Sequence, residues 1–172
     1  MTTDATLAVT AGPPSPDADR AAVARLLGRA PQGAFEVILR RHDGSPVVVA
    51  NQPLLDSGRP MPTRFWLVDR ALSRAVGTLE SEGGVKRAEA EIEPALIQAA
   101  HDRYATERDT LLDPEHAGPR PSGGVGGTRV GVKCLHAHLA NHLAGHDDPV
   151  GAWVIERLAE SGHRFDPSEP GT

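Results

Sequence analysis

What is scarce in these 172 residues narrows the field first. The single cysteine, Cys134, excludes an intramolecular disulfide and any metal site built wholly of cysteines, and it fits a reducing compartment. No apolar run approaches the roughly 20 residues that span a bilayer. The first residues, MTTDATLAVTAGPPSPDAD, have neither a basic start nor a continuous apolar core, so they do not read as a signal peptide. These absences point to a soluble, cytoplasmic protein. Lysine is nearly missing, two against sixteen arginines, and with abundant Ala, Gly and Pro this reads as a compositional bias of the genome. A basic excess is also missing. The formal charge is −5, but Arg20 to His163 hold 17 basic and 18 acidic residues, so a nucleic-acid-binding surface is not indicated. The length suits one domain with a real core.

Local patterns predict an α+β fold, a small antiparallel sheet (a hairpin plus a third strand) packed with four to five helices. Residues 1–16, with Pro13, Pro14 and Pro16, are expected to be a disordered tail, 17–163 a globular domain and 164–172 a second tail. Asp17 or Asp19 can cap a first helix that buries Val23, Leu26 and Leu27. FEVILRRH, the turn dipeptide Asp43-Gly44 and SPVVVAN read as a hairpin, and RFWLV as a third strand. Asp69 caps a helix with Leu72, Val76 and Leu79 on one face. VKRAEAEI fits either a short strand or a lead-in to the next helix. Pro94 opens a long helix with Leu96, Ala100, Tyr104 and Leu111 inward; His101 falls off that stripe and reads as solvated. Asp148-Pro149 opens a last helix that buries Val150, Trp153, Val154 and Leu158 and stops at Gly162.

The chemistry is concentrated between Ser122 and Gly151. That stretch holds four of the eight histidines, the cysteine, one of the two lysines and seven glycines. On a helix drawn through residues 129–145, Val132, Leu135, Leu139 and Leu143 form the core stripe at ~100° per residue. Cys134, His138 and His142 then form an i, i+4, i+8 ladder off the stripe, which His146 can extend. Neighbours in such a ladder lie about 6 Å apart and can share an ion or a proton, but the ends lie about 12 Å apart, too far for one ion.

Three uses of this stretch stay open. His138 and His142, and less readily His146, can hold a divalent metal such as zinc, iron or manganese, with further ligands from His42, His101, His116, Asp147 or Asp148. Cys134 can be a catalytic nucleophile near a helix start beside Lys133, with His138 as general base. The glycine-rich loop, Gly124, Gly126 and Gly127, with Arg129, Lys133 and His136, can bind a small anionic or phosphorylated ligand, although GGVGGTRVGVK matches neither phosphate-loop pattern. His146-Asp147 resembles the pair found in HD-type phosphohydrolases, without the other spaced ligands. Arg40, Arg41, Arg59 and Arg64 can add to an anion-attracting surface. Against all of these stands a non-catalytic interaction domain in which the histidine-rich helix is structural.

NQPLLDSGRPMPTRFWL together with GGVGGTRVGVKCLHAHLANHLAG resembles the bacterial domain of unknown function 501 family over roughly residues 20–160, with KCLHAH the most specific segment. The resemblance implies a cytosolic bacterial protein. Genes of this family often lie near those for a septum-formation initiator, an exopolyphosphatase-like enzyme and enolase, which implies a link to phosphate metabolism or cell division. It assigns no residue a role.

Overall fold

The computed structural model describes residues 16–166. Most of the expected N-terminal tail and the last six residues lie outside that range. Pro16, however, opens helix α1 (Pro16–Leu27), so Asp17 and Asp19 sit inside its first turn and are not its cap. There they still face the positive end of the helix dipole. The hairpin forms as the Asp43-Gly44 signal predicts. β1 (Phe35–Arg40) and β2 (Pro46–Asn51) pair antiparallel, with Val37 opposite Val49. Gly44 takes a positive φ of 83°, and the Asp43 carboxylate accepts from the Ser45 N–H. β3 (Phe65–Leu67) pairs with β2, so the order is β1-β2-β3.

β2 is buried along its whole length because each face is covered. Val49 packs with Val23 of α1 and Val68, whereas Val48 and Ala50 join the main core. Asp69 caps α2 (Arg70–Ser81) by accepting from Leu72 N–H at 2.8 Å. Its other oxygen takes the buried Arg41 Nε at 2.5 Å, which ties the hairpin to this helix. The ambiguous stretch is a helix, α3 (Gly84–Glu91), whose Val85, Ala88 and Ile92 recur at helical spacing toward the core. That makes six α-helices among the described residues rather than four or five.

Two helices differ from expectation. α4 (Pro94–Thr110) turns Ile97, Ala100, His101, Tyr104 and Arg108 inward, while Leu96 and Leu111 are exposed. The buried stripe is partly polar because it anchors loops. Arg108 donates to the carbonyls of Gly123 and Pro62 at 2.8 and 3.2 Å, and the Tyr104 hydroxyl accepts from the Arg64 N–H. Burial pushes the Tyr104 pKa up to about 12, so this hydroxyl stays neutral. The cysteine–histidine helix, α5 (Leu135–Leu143), starts six residues later than the wheel assumed, with Cys134 as its extended N-cap. It is buried on several sides, against α2, β3 and α6 (Pro149–Glu160). Leu135, Ala137, His138, Leu139, Ala140 and Asn141 are all buried, and the stripe through Val132, Leu135, Leu139 and Leu143 misses four of these six.

α6 crosses α5 closely at Gly151, where an added Cβ would lie 2.3 Å from the His142 Cβ and 2.5 Å from the His138 carbonyl oxygen. Past its end, Phe165 packs against the core under Arg41, so ordered contacts continue beyond residue 163.

Candidate functional site

Because α5 begins at Leu135, the histidines fall into two different settings. At the start of the helix, Cys134 and His136 face α2. His136 is half-buried, with Nδ1 3.7 Å from the Cys134 sulfur and 3.2 Å from Glu80 Oε1. Its Nε2 lies 2.9 Å from the Ser73 carbonyl oxygen, so it carries a proton and donates there. Glu80 also accepts from the Leu135 N–H at 2.6 Å, filling one of the donor positions that a helix start leaves open. Ser73 and Glu80 are seven residues apart, two turns along one face of α2, and together they fix the imidazole from both ends.

The electrostatics follow from these partners. The hydrogen bond to the Cys134 sulfur, and after it the Ser73 carbonyl and the Glu80 charge, outweigh partial burial and raise the His136 pKa to about 9. Its ring is therefore a cation at neutral pH, held between a sulfur and a carboxylate. An N-cap side chain faces the N–H groups of the second and third helical residues, here His136 and Ala137, and the sulfur makes no cap bond of its own. Negative charge developing at that point is favoured by the helix dipole.

Cys134, His136, Ala137 and Gly126 line a cavity of about 300 Å³ together with Leu27, Thr63, Phe65, Trp66, Leu67 and Lys133. The cavity is mainly apolar, and its polar groups are the Cys134 sulfur, the His136 imidazole, Thr63 and Lys133. Among the described residues, Glu80, Cys134 and His136 are the one group of three metal-capable side chains whose ligand atoms all lie within 4.8 Å of one another.

His138, two residues further along α5, is fully buried. Its Nδ1 donates to the Asp148 carboxylate at 2.9 and 3.0 Å, leaving Nε2 buried without a hydrogen-bond partner. Asp148 also accepts from Asn141 Nδ2 and caps α6 through the Val150 and Gly151 N–H groups. Burial raises the Asp148 pKa, but the bonds from His138, Asn141 and Gly151 outweigh it, and the net shift is downward.

The His101 ring lies 5.5 Å from that of His138. It is buried rather than solvated. Its Nδ1 accepts from the Val125 N–H at 3.0 Å, so Nε2 must donate to the Gly131 carbonyl at 2.8 Å, and the ring is a satisfied neutral imidazole. Burial lowers its pKa accordingly.

The expected residues are therefore divided. Cys134, His136, Lys133 and Gly126 meet at the cavity. The partner of Cys134 is His136, while the polar contacts of His138 go to Asp148. His142 has a buried, unpartnered Nδ1, and His146 turns to Glu107 at 3.2 Å with its ring tilted against Phe65. His42 is exposed in its turn, and His116 bonds locally to the Pro119 carbonyl.

The glycine loop is packed rather than open. A Cβ on Gly124 would lie 2.4 Å from that of His101. The N–H groups of Gly124, Val125, Gly127 and Thr128 bond to Thr128, His101, Gly124 and Val125 respectively. Those donors are not available to an anion, and Arg129 is exposed beside them. Arg40, Arg41 and Arg64 pair with Asp19, Asp69 and Glu107. Sequence reasoning missed Glu80, whose only signal was its two-turn spacing from Ser73 beside the apolar stripe of α2.

No helix among the described residues is long and apolar enough to cross a membrane. The chain belongs to the family of proteins of unknown function DUF501, whose model matches residues 37–156. No curated protein and no solved structure matches it.

Proposed function

We propose that this protein is a small cytoplasmic enzyme that uses Cys134 as a nucleophile on an activated acyl group of a small, largely apolar molecule. The observation that supports this is positional. The sulfur stands at the N-cap of α5, in the wall of an apolar cavity, 3.7 Å from a histidine nitrogen whose ring Ser73 and Glu80 hold in place. Nucleophile, proton carrier and orienting group are the three parts that such chemistry requires.

In this reading Sγ attacks the carbonyl carbon, the C–S bond forms and the carbonyl electron pair moves to oxygen. The helix-start N–H groups of His136 and Ala137 are the donors nearest that charge. Collapse expels the leaving group, which takes the proton from His136 Nδ1. Water then adds to the thioester carbon and gives its proton to the same nitrogen. The C–S bond breaks, releasing the acid and freeing the Cys134 sulfur beside the protonated His136. Lys133 at the cavity edge supplies a charge for an anionic end of the substrate, such as a carboxylate or phosphate.

The test is incubation of the protein with p-nitrophenyl esters of increasing acyl length. The expected result is a burst of one equivalent of nitrophenolate and a mass increase equal to the acyl group on Cys134, absent in Cys134→Ser. Full-length protein with an intact thiol that forms no adduct with any ester would overturn the reading and leave a non-catalytic interaction domain.

A further inference from the structure

Donor atoms bound to one tetrahedral zinc ion at about 2.0–2.3 Å stand roughly 3.3–3.8 Å from one another. Cys134 Sγ and His136 Nδ1 are 3.7 Å apart, and His136 Nδ1 and Glu80 Oε1 are 3.2 Å apart. The remaining separation, sulfur to carboxylate, is within 4.8 Å.

The supports of these atoms also match what metal ligands need. A ligating histidine donates its other ring N–H to a carbonyl or carboxylate, and a ligating carboxylate is itself hydrogen-bonded. Here His136 Nε2 donates to the Ser73 carbonyl and Glu80 accepts from the Leu135 N–H, and the ion takes His136 Nδ1 by displacing its proton to solvent. From this geometry we propose that Glu80, Cys134 and His136 form a three-ligand site for a borderline divalent cation, zinc above all, with its fourth position open to the apolar cavity. The mixed sulfur, nitrogen and oxygen set disfavours magnesium and calcium, which take oxygen ligands.

A sulfur held by zinc is not free to attack a carbonyl. The cation-bound and reactive states are thus alternatives of one centre, and zinc acts as a brake on it. This inhibitory consequence rests on the thiol reading above, whereas the binding itself does not. The site also differs from the His138–His142 pair that helical spacing suggested, because the nearest partner of His138 is the Asp148 carboxylate.

The experiment is a titration of the metal-free, full-length protein with Co²⁺, followed by displacement with Zn²⁺. It is run on wild type, Cys134→Ser, His136→Gln, Glu80→Gln and, as a control, His142→Ala. The expected result is one equivalent bound with a sulfur-to-cobalt charge-transfer band. That band is lost in Cys134→Ser, affinity falls about tenfold or more in His136→Gln and Glu80→Gln, and His142→Ala binds as wild type does. A wild-type protein with a titratable thiol but no such band overturns the site, as does affinity unchanged in both Gln variants.

If a variant fails to fold, wild type with Cys134 blocked by methyl methanethiosulfonate replaces it, and the band must again disappear. Alkylation by iodoacetamide with and without Zn²⁺ separates the two readings. Ester acylation that zinc leaves unchanged, with Cys134 alkylated at the same rate, overturns the cation site and keeps the enzyme. Zinc binding in a protein that no ester acylates does the reverse.

Discussion

His136 and His138 are two residues apart on one helix, yet they live under opposite conditions. His136 is part-exposed at a cavity, held between a sulfur, a carboxylate and a backbone carbonyl. His138 is fully buried, spends Nδ1 on Asp148 and leaves Nε2 without a partner. The first setting is made of groups that can exchange a proton, an acyl group or a cation with something from outside. The second joins α5 to the cap of α6 and reaches no cavity described above. Histidine identity therefore says little here, and access together with the nature of the partners says most. If the comparison is right, substitutions at the deep centre should cost stability, and substitutions at the cavity centre should cost chemistry.

The largest stability loss is expected from Asp148→Ala. That change removes the partner of His138, an acceptor for Asn141 and the cap of α6 in one step. Breaking a buried pair of this kind costs about 3–5 kcal/mol, which lowers Tm on the order of 10 °C for a chain of this size. Thermal denaturation followed by circular dichroism measures it. A shift of only a degree or two would mean that the deep centre is not structural, and the contrast with His136 would fail.

Next comes Gly124→Ala. The new methyl would stand 2.4 Å from the His101 Cβ and 2.6 Å from its Cα, with helix backbone behind them, so the glycine loop must lift off α4. Such overpacking costs about 1–3 kcal/mol, read as a lower urea midpoint at unchanged slope. Unchanged stability would show that the loop is free to move, and would revive its use as an anion cradle.

At the cavity the expected stability effects are smaller. His136→Gln and Glu80→Gln each disturb part-exposed hydrogen bonds, worth about 0.5–1.5 kcal/mol apiece. Loss of a general acid or base slows turnover by about 10²–10⁴, so ester hydrolysis should collapse in His136→Gln while its melting curve stays close to wild type. A large loss of stability with proportional loss of activity would place His136 in the same class as His138.

What could be read in advance was local. The Asp43-Gly44 turn, the Asp69 and Asp148 caps, the third strand and the buried face of α6 all depend on residues within one or two turns of each other. The inward face of α4 was not legible, because Arg108 and His101 are buried through bonds to Gly123, Pro62, Gly131 and Val125, distant in sequence. Hydrophobic periodicity cannot register a stripe made of satisfied polar groups. The same blindness hid the candidate site. Cys134 and His136 are i and i+2, which never face each other inside a helix; they meet because Cys134 is an extended cap. Glu80 arrives from a helix 55 residues earlier in the chain.

The smallest expected effect tests the deep centre by pH. His101 is neutral in the folded protein and its pKa is lowered, chiefly by burial, with the neighbouring His138 lowering it further and Gly131, Asp148 and Asp102 opposing. In the unfolded chain the same group titrates near its ordinary value of about 6.5. Between the folded pKa and 6.5 the unfolded state binds more protons, so stability rises with pH across that window and is lost as pH falls through it. His101→Gln retains a donor for the Gly131 carbonyl and an acceptor for the Val125 N–H while removing the titration. Urea midpoints measured from pH 7.5 down toward pH 5 should therefore fall more steeply in wild type than in the variant. His136 works in the opposite direction: its folded pKa is raised, so its contribution is fully present below about pH 6.5 and is lost as pH rises toward 9. Equal slopes in the two proteins would mean that His101 is protonated in the fold or reached by water, and the line between a sealed centre and an open one would have to be redrawn.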